Sequence, residues 1–236
     1  MEFDYPVKDF KVPPHPKGKT LIGQNVRLEP LNVEKHSADL HDANSIDAEG
    51  KNWDYLPYGP FDDLESYQYW LEEEAVKQDP TFFAIVRKLD EKAVGVASFL
   101  RINQTDGSIE VGHINYSPLL QRTREGTEAM YLMMKWAFEN GYRRFEWKCD
   151  SRNIPSRRAA QRYGLSFEGI FRQAAIVKGR NRDTAWYAAI DAEWSALQEA
   201  FETWLRPENF GTDGRQKEKL GNLTHLVLVQ TDPALG

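Results

Sequence analysis

A single cysteine, Cys149, among 236 residues excludes an internal disulfide and a cysteine-built metal site, and no metal is expected. Without a disulfide to tie the protein to an oxidising compartment, a cytoplasmic location is the expectation. Apolar runs of membrane length are missing too, and the opening Met1-Glu2-Phe3-Asp4-Tyr5 carries acids where a secretory signal carries a basic start and an apolar stretch. A soluble protein with no membrane partner is expected. Positive charge is not in excess: 30 Lys and Arg stand against 36 Asp and Glu, a formal charge of -6, which argues against a nucleic-acid-binding surface. There is no internal repeat, no low-complexity tract and no Gly-Lys-Ser/Thr phosphate signature.

What is present suits one main domain, since 41% of the residues are hydrophobic and can bury a sizeable core. Residues 1–20 hold Pro6, Pro13, Pro14 and Pro16 among lysines and read as an extended N-terminal arm; the domain proper covers 21–206. Val26 and Leu28 alternating with Arg27 and Glu29 predict a strand over 25–30, and a helix follows over 32–43. After an aromatic loop, Trp53 to Phe61, the acids Asp62 and Asp63 open a helix that runs to about Lys77. Strands at 81–89, 93–101 and 108–116, joined by Asp90-Glu91-Lys92 and Thr105-Asp106-Gly107, form an antiparallel meander. A helix stops at Asn140-Gly141, and Phe145, Trp147 and Cys149 then alternate with Arg144, Glu146 and Lys148 in a half-buried strand. A helix over 155–163, strands at 165–177 and 182–191 and a helix over 194–205 complete the domain. The tail, 207–236, is polar apart from Leu223 to Val229, a candidate added strand.

The stretch Gln121-Arg122-Thr123-Arg124-Glu125-Gly126-Thr127 lies between the strand ending at Tyr116 and a helix marked by Met130, Met133, Met134, Ala137 and Phe138 at i, i+3, i+4, i+7, i+8. The first amides of a helix have no internal partners and sit at the positive end of its dipole, so Arg124 to Thr127 can grip a pyrophosphate. An ordinary strand-to-helix turn would read the same way in isolation.

This loop resembles the coenzyme A loop of the GNAT superfamily of acetyltransferases, Gln/Arg-x-x-Gly-x-Gly/Ala, and Thr127-Glu128-Ala129 is similar to the Thr-Glu-Ala of its RimJ/RimL-like branch. Arg124 replaces the middle glycine, where its side chain either crowds the phosphates or adds a charge-assisted contact to them. The order of elements agrees with the same family. The resemblance implies an α+β fold: a mixed, mostly antiparallel central sheet of about seven strands flanked by helices, with a V-shaped split between the fourth and fifth. It also implies acetyl-CoA as acyl-donor cosubstrate, held by Gln121, Arg122, Thr123, Arg124, Glu125, Gly126 and Thr127. By position, the backbone of His113, Ile114, Asn115 and Tyr116 would pair with the pantetheine arm and leave an amide for the thioester carbonyl.

Asp150 to Arg157 contains an Asn-x-x-Ser that resembles the one following the fifth strand in RimJ/RimL-like enzymes. There Asn153 would bridge the pantetheine amides and Ser156 would donate a hydrogen bond toward the departing sulfur, although both residues equally suit a helix cap and first turn. Where many relatives carry a tyrosine acid this chain has Ala160, which favours Ser156; Tyr163 comes too late and reads as packing. Of Arg152, Arg157 and Arg158, Arg157 is the best candidate for the adenosine phosphates, solvation being the alternative. Glu110 precedes Gln121 by the interval at which histone-type relatives place their general base; the alternative is a solvated cross-strand glutamate. His113 is the rival base, on the face opposite Glu110. Trp53, Asp54 and Tyr55 fall where the family places a wall of its acceptor pocket and could hold a cationic amine, or else seal the core. The segment Phe171 to Trp186 is a second candidate wall, and Cys149 reads as packing. The implied activity is direct acetyl transfer to a primary amine, on a protein N-terminus or a small molecule, with both reactants held in one cleft. A non-catalytic coenzyme A-binding or interaction domain is the alternative, and the added tail is compatible with a homodimer.

Overall fold

The structure, a computed structural model, describes residues 7–75 and 77–235. The first six residues of the expected arm, and Val76 near the expected end of the second helix, lie outside the described residues.

Among the described residues, eight strands form one sheet: β1 (Leu21–Ile22), β2 (Val26–Pro30), β3 (Thr81–Arg87), β4 (Ala93–Asn103), β5 (Ser108–Tyr116), β6 (Arg144–Asp150), β7 (Ser166–Val177) and β8 (Arg180–Ile190). Their spatial order is β1-β2-β3-β4-β5-β6-β8-β7, and β5 with β6 is the parallel pair in an otherwise antiparallel sheet. The expected count of seven is therefore one short. The additional strand is the two-residue β1, which folds back on β2 with Leu21 opposite Leu28 and is too brief to show any alternation in sequence. The glutamate after Thr127 explains why the turn holds. Glu128, 4% exposed, accepts the backbone N–H groups of Gln24 (2.6 Å), Asn25 (2.7 Å) and Val26 (3.0 Å), and so pins the β1–β2 turn to a helix a hundred residues away.

Helices α1 (Val33–Ser45) and α2 (Leu64–Ala75) cover one face of the sheet. There Leu40, Trp53, Tyr67 and Leu71 bury against Phe82, Ala84, Val86 and Val96. On the other face lie α3 (Arg124–Glu139), α4 (Ile154–Arg162) and α5 (Asp191–Leu205), whose Met130, Met133, Met134, Ala160, Leu197 and Phe201 share a core with Ile109, Val111, Phe145 and Trp147. The helical spacing of the methionines and the strand alternation of Phe145, Trp147 and Cys149 thus meet at one interface.

The arm has no regular element over the described residues 7–20 and lies along the sheet's end: Pro13 O accepts from Gln104 (2.7 Å), and Pro14 O accepts from the Tyr142 hydroxyl (3.0 Å). The tail differs from expectation. Leu223 to Val229 is not a strand; a short helix α6 (Leu220–Thr224) and a 3-10 turn (His225–Val227) occupy it. Leu220 and Thr224 bury fully against the domain, which fixes this segment as a turn rather than an added edge. Beyond it the chain reaches the start of β7, where Val229 N–H donates to Ser166 Oγ (2.9 Å) and Gln230 O accepts from Phe167 N–H (3.0 Å).

Candidate active site

β5 and β6 pair only from Ser108–Arg144 to Val111–Trp147. Past that point β6 stays with β8 as far as Asp150–Thr184, while β5 stays with β4 as far as Tyr116–Gly95, so the two strands diverge and leave a V-shaped split. A β-bulge drives the divergence: the β4–β5 register shifts between Val96 and Ser98, and His113 sits there at φ 49. One extra residue in β5 twists its last turn away from β6.

The bulge also changes the faces. Alternation places His113 opposite Glu110, but its ring stacks on Tyr58 at 5.6 Å and lies 5.1 Å from Phe82, both on the α1/α2 face that Glu110 shares. Its Nδ1 meets the Tyr58 hydroxyl at 3.0 Å, and burial lowers its proton affinity. His113 is thus an aromatic-core residue. Ile114 and Tyr116 pack toward α3, and Asn115 is 2% exposed with neither side-chain atom hydrogen-bonded among the described residues.

At the mouth of the split, Thr123 caps α3 by accepting the Gly126 N–H (3.0 Å), and Arg122 adopts φ 59. The amides of Arg122, Arg124 and Glu125 donate to no protein group among the described residues, which leaves three N–H donors at the positive end of a 16-residue helix. Gly126 is required by close approach: a Cβ there would lie 2.6 Å from Leu120 O. Gln121 does not face the donors; its carboxamide bonds Tyr116 O (2.8 Å) and Asn52 Oδ1 (2.6 Å), tying the loop to the strand end. Arg124 neither crowds nor contacts this row. Its guanidinium turns away to the Leu205 carbonyl at the end of α5 and lies 4.7 Å over the Phe210 ring. Free amides, a glycine where a side chain would clash and an uncrowded approach fit a diphosphate-bearing cosubstrate.

Asn153 caps α4, accepting the Ser156 N–H at 3.1 Å. Ser156 Oγ accepts from Trp147 Nε1 (3.0 Å), and its hydroxyl lies beside the Cys149 thiol. Arg157 does not extend toward the α3 amides. It is 4% exposed and donates to Asp232 Oδ2 (2.7 Å) and Oδ1 (2.5 Å), to the Tyr187 hydroxyl (3.2 Å) and to Ser151 O (2.7 Å), holding the tail against α4. The partner that claims it lies 75 residues later, which no local pattern announces. Burial pushes the Cys149 thiol up to about 11, and Tyr163 packs between Trp147 and Phe201; both are core residues.

On the α1/α2 face of the split, Glu110 is 3% exposed and so is not a solvated surface glutamate. Its Oε1 accepts from Arg101 Nη1 (2.7 Å), and Lys148 Nζ lies 2.8 Å from its Oε2. Burial raises its proton affinity, against the pull of Lys148 and Arg101. Neither cation was among the sequence candidates. Lys148 becomes visible only through the β5–β6 register, which sets Glu110 opposite Glu146, and Arg101 only through its left-handed backbone, φ 47, held by Asp79.

Of the expected acceptor wall, Trp53 is 5% exposed and packs edge-on to Phe61 and Tyr67, which makes it a core seal. Asp54 is exposed. Tyr55 reaches across the split to Arg152 O (3.3 Å), and Lys178 Nζ at the β7–β8 tip donates to Trp53 O (3.0 Å) and Gly59 O (2.9 Å). Phe171, Arg172, Gln173, Asn181 and Asp183 line an open depression on that hairpin. Among the described residues, no cluster of metal-ligating side chains occurs and no helix is long and apolar enough to cross a membrane.

The geometry agrees with the comparisons. Residues 25–166 match the acetyltransferase (GNAT) domain. A GCN5-related N-acetyltransferase from Brucella melitensis is 42% identical, with a TM-score of 0.90 over 93% of this chain and 100% of that one. A GNAT-family protein from Chromobacterium violaceum ATCC 12472 is 40% identical, with a TM-score of 0.77 over 82% of this chain and 96% of that one. The microcin C7 self-immunity acetyltransferase MccE, solved with acetyl-CoA and AMP, and RimL, a ribosomal L7/L12 alpha-N-protein acetyltransferase, share the fold at 18% and 20% identity, each with a TM-score of 0.62; they cover 71% and 73% of this chain, and the matches take in 93% and 94% of their own lengths. No curated protein matches the chain. Enzymes of this family transfer acyl groups from acetyl-CoA, and the chain belongs to it as a GNAT N-acetyltransferase.

Proposed function

We propose that this chain is a cytoplasmic acetyltransferase of the RimJ/RimL-like branch that moves an acetyl group directly from acetyl-CoA to a primary amine. The observation that carries the reading is the buried Glu110 beside the split, on the face opposite Ser156. Acetyl-CoA supplies the activated acetyl thioester. The free amides of Arg122, Arg124 and Glu125 would hold its diphosphate, and the edge of β5 from His113 to Tyr116, which β6 does not pair, its pantetheine arm. Glu110 takes the first proton of the acceptor ammonium on one face; the freed amine attacks the acetyl carbon, the carbon–sulfur bond breaks, and the nitrogen's second proton goes to the departing thiolate, which the Ser156 hydroxyl stabilises with a hydrogen bond from the other face. Orienting both reactants in one split supplies the rest of the acceleration.

RimL, an alpha-N-protein acetyltransferase, supports protein N-termini as the first acceptors to test, with small amines as the second class. Thiol release from acetyl-CoA across a panel of peptides and small amines should identify a turned-over class. With that acceptor, Glu110→Gln should lower kcat by 10²-fold or more, the range of a lost general base, and leave acetyl-CoA affinity within about twofold. Full activity in Glu110→Gln across pH would sink this reading.

A further inference from the structure

A buried lysine on β6, Lys148, stands beside Glu110 without touching either reactant's proposed holder. Lys148 has a side chain only 9% exposed, and its Nζ lies 2.8 Å from Glu110 Oε2, 2.8 Å from Glu146 Oε2 and 3.8 Å from the Trp186 ring centroid. Two carboxylates and an aromatic face therefore surround one ammonium on three sides, through charge rather than aligned hydrogen bonds, since Glu110 Oε2 has no hydrogen-bond partner among the described residues. Glu146 is fixed in turn by Arg144 Nε at 2.6 Å, and Arg144 closes on Glu168 of β7 with two bonds, at 2.7 and 2.6 Å. The strand register makes this arrangement: parallel pairing sets Glu110 beside Glu146, and Lys148 follows two residues later on the same face.

We propose that Lys148 is a positioning residue for acetyl transfer: braced by Glu146 and Trp186, it holds the Glu110 carboxylate ionised and aimed into the split. The charged groups facing that carboxylate are Arg101 from β4 and Lys148 from β6, with Glu146 behind the lysine. Arg101 is the looser of the two cations, its side chain 61% exposed, whereas Lys148 is enclosed and loses little strength to solvent screening. Between Lys148 and Glu110 no proton need move; the lysine acts through the glutamate. This role rests on the reading of Glu110 as the base.

The test is the pH profile of kcat/KM for wild type, Lys148→Met, Lys148→Arg and Glu110→Gln. Removing the cation raises the pH at which Glu110 gives up its proton. Lys148→Met should therefore lose tenfold or more at the acid end and recover to within about threefold of wild type at alkaline pH, with KM for acetyl-CoA unchanged. Lys148→Arg, which keeps the charge, should restore most of the acid limb. A Lys148→Met loss that is uniform across pH, or Lys148→Arg behaving like Lys148→Met, would overturn the positioning role. If Lys148→Met does not fold, an unshifted acid limb in Lys148→Arg together with lost activity does the same. Glu110→Gln separates the two readings: an acid limb that persists there removes Glu110 as base, whatever Lys148 does.

Discussion

Replacing Asp232 by alanine should destabilise the protein far more than its place in the polar tail suggests. The Asp232 side chain is fully buried, and its carboxylate accepts from Arg157 Nε (2.7 Å) and Nη2 (2.5 Å) and from the Tyr187 hydroxyl. Its removal strands a guanidinium that is 4% exposed and, among the described residues, retains Tyr187 and Ser151 O as partners. Breaking a buried pair in this one-sided way costs about 3–5 kcal/mol. For a domain of this length that corresponds to a fall in melting temperature of roughly 6–20 °C. The charge has a pH signature. Burial opposes ionisation of Asp232, but the hydrogen bonds from Arg157 and Tyr187 outweigh it and hold the carboxyl below the usual carboxylate range. A depressed value in the folded state means that the contribution is complete above about pH 4 and is lost as pH falls through the folded value. Thermal melts of wild type, Asp232→Ala and the double variant Arg157→Met with Asp232→Leu decide the matter. The double variant, which leaves no orphaned charge, should be the more stable of the two variants. An Asp232→Ala protein melting within about 2 °C of wild type would refute the reasoning, since the tail would then dock without the pair.

Two further outcomes follow from the same geometry. Gly126→Ala brings a methyl to 2.6 Å from Leu120 O, so the loop must shift and the row of free amides with it; acetyl-CoA binding by calorimetry should weaken by about tenfold, the effect of one lost charge-assisted hydrogen bond, and unchanged affinity would show that the amides do not hold the diphosphate. His113 is buried against Tyr58 and Phe82, and burial lowers its folded proton affinity, so stability should be full above about pH 6.5 and decline below it as the unfolded chain binds the proton more readily; chemical denaturation between pH 5 and 8 should show a shallower acid decline in His113→Gln.

The legible parts of this chain are those in which a local pattern and its structural consequence share the same few residues. The methionine stripe of α3 buries against the sheet, the Asn153 and Ser156 pair caps a helix, and the free amides follow from Thr123 capping a helix that begins at Arg124. The parts that escaped depend on partners brought from a distance. Glu128 serves a turn a hundred residues earlier, and Arg157 answers to a tail 75 residues later. The face of His113 is set by one extra residue in β5, a single-residue bulge that inverts alternation; Gly112, directly before it in the strand, is the local signal that could have marked it.

The same bulge explains why the site exists where it does. A regular β5 would continue its parallel pairing with β6 beyond Val111–Trp147, the edge from His113 to Tyr116 would be occupied by the partner strand, and no cleft would open. The register before the bulge matters as much, because it sets Glu110 opposite Glu146 and so within reach of Lys148. Pairing that held for four residues and then failed therefore does two jobs: it assembles the charged cluster in the closed part of the sheet and frees the backbone in the open part. A sequence change that straightened β5 at His113 would damage cosubstrate binding and leave the Glu110–Lys148 contact intact, whereas a change at Lys148 would do the reverse. The two ends of the split are separable by where their hydrogen bonds go.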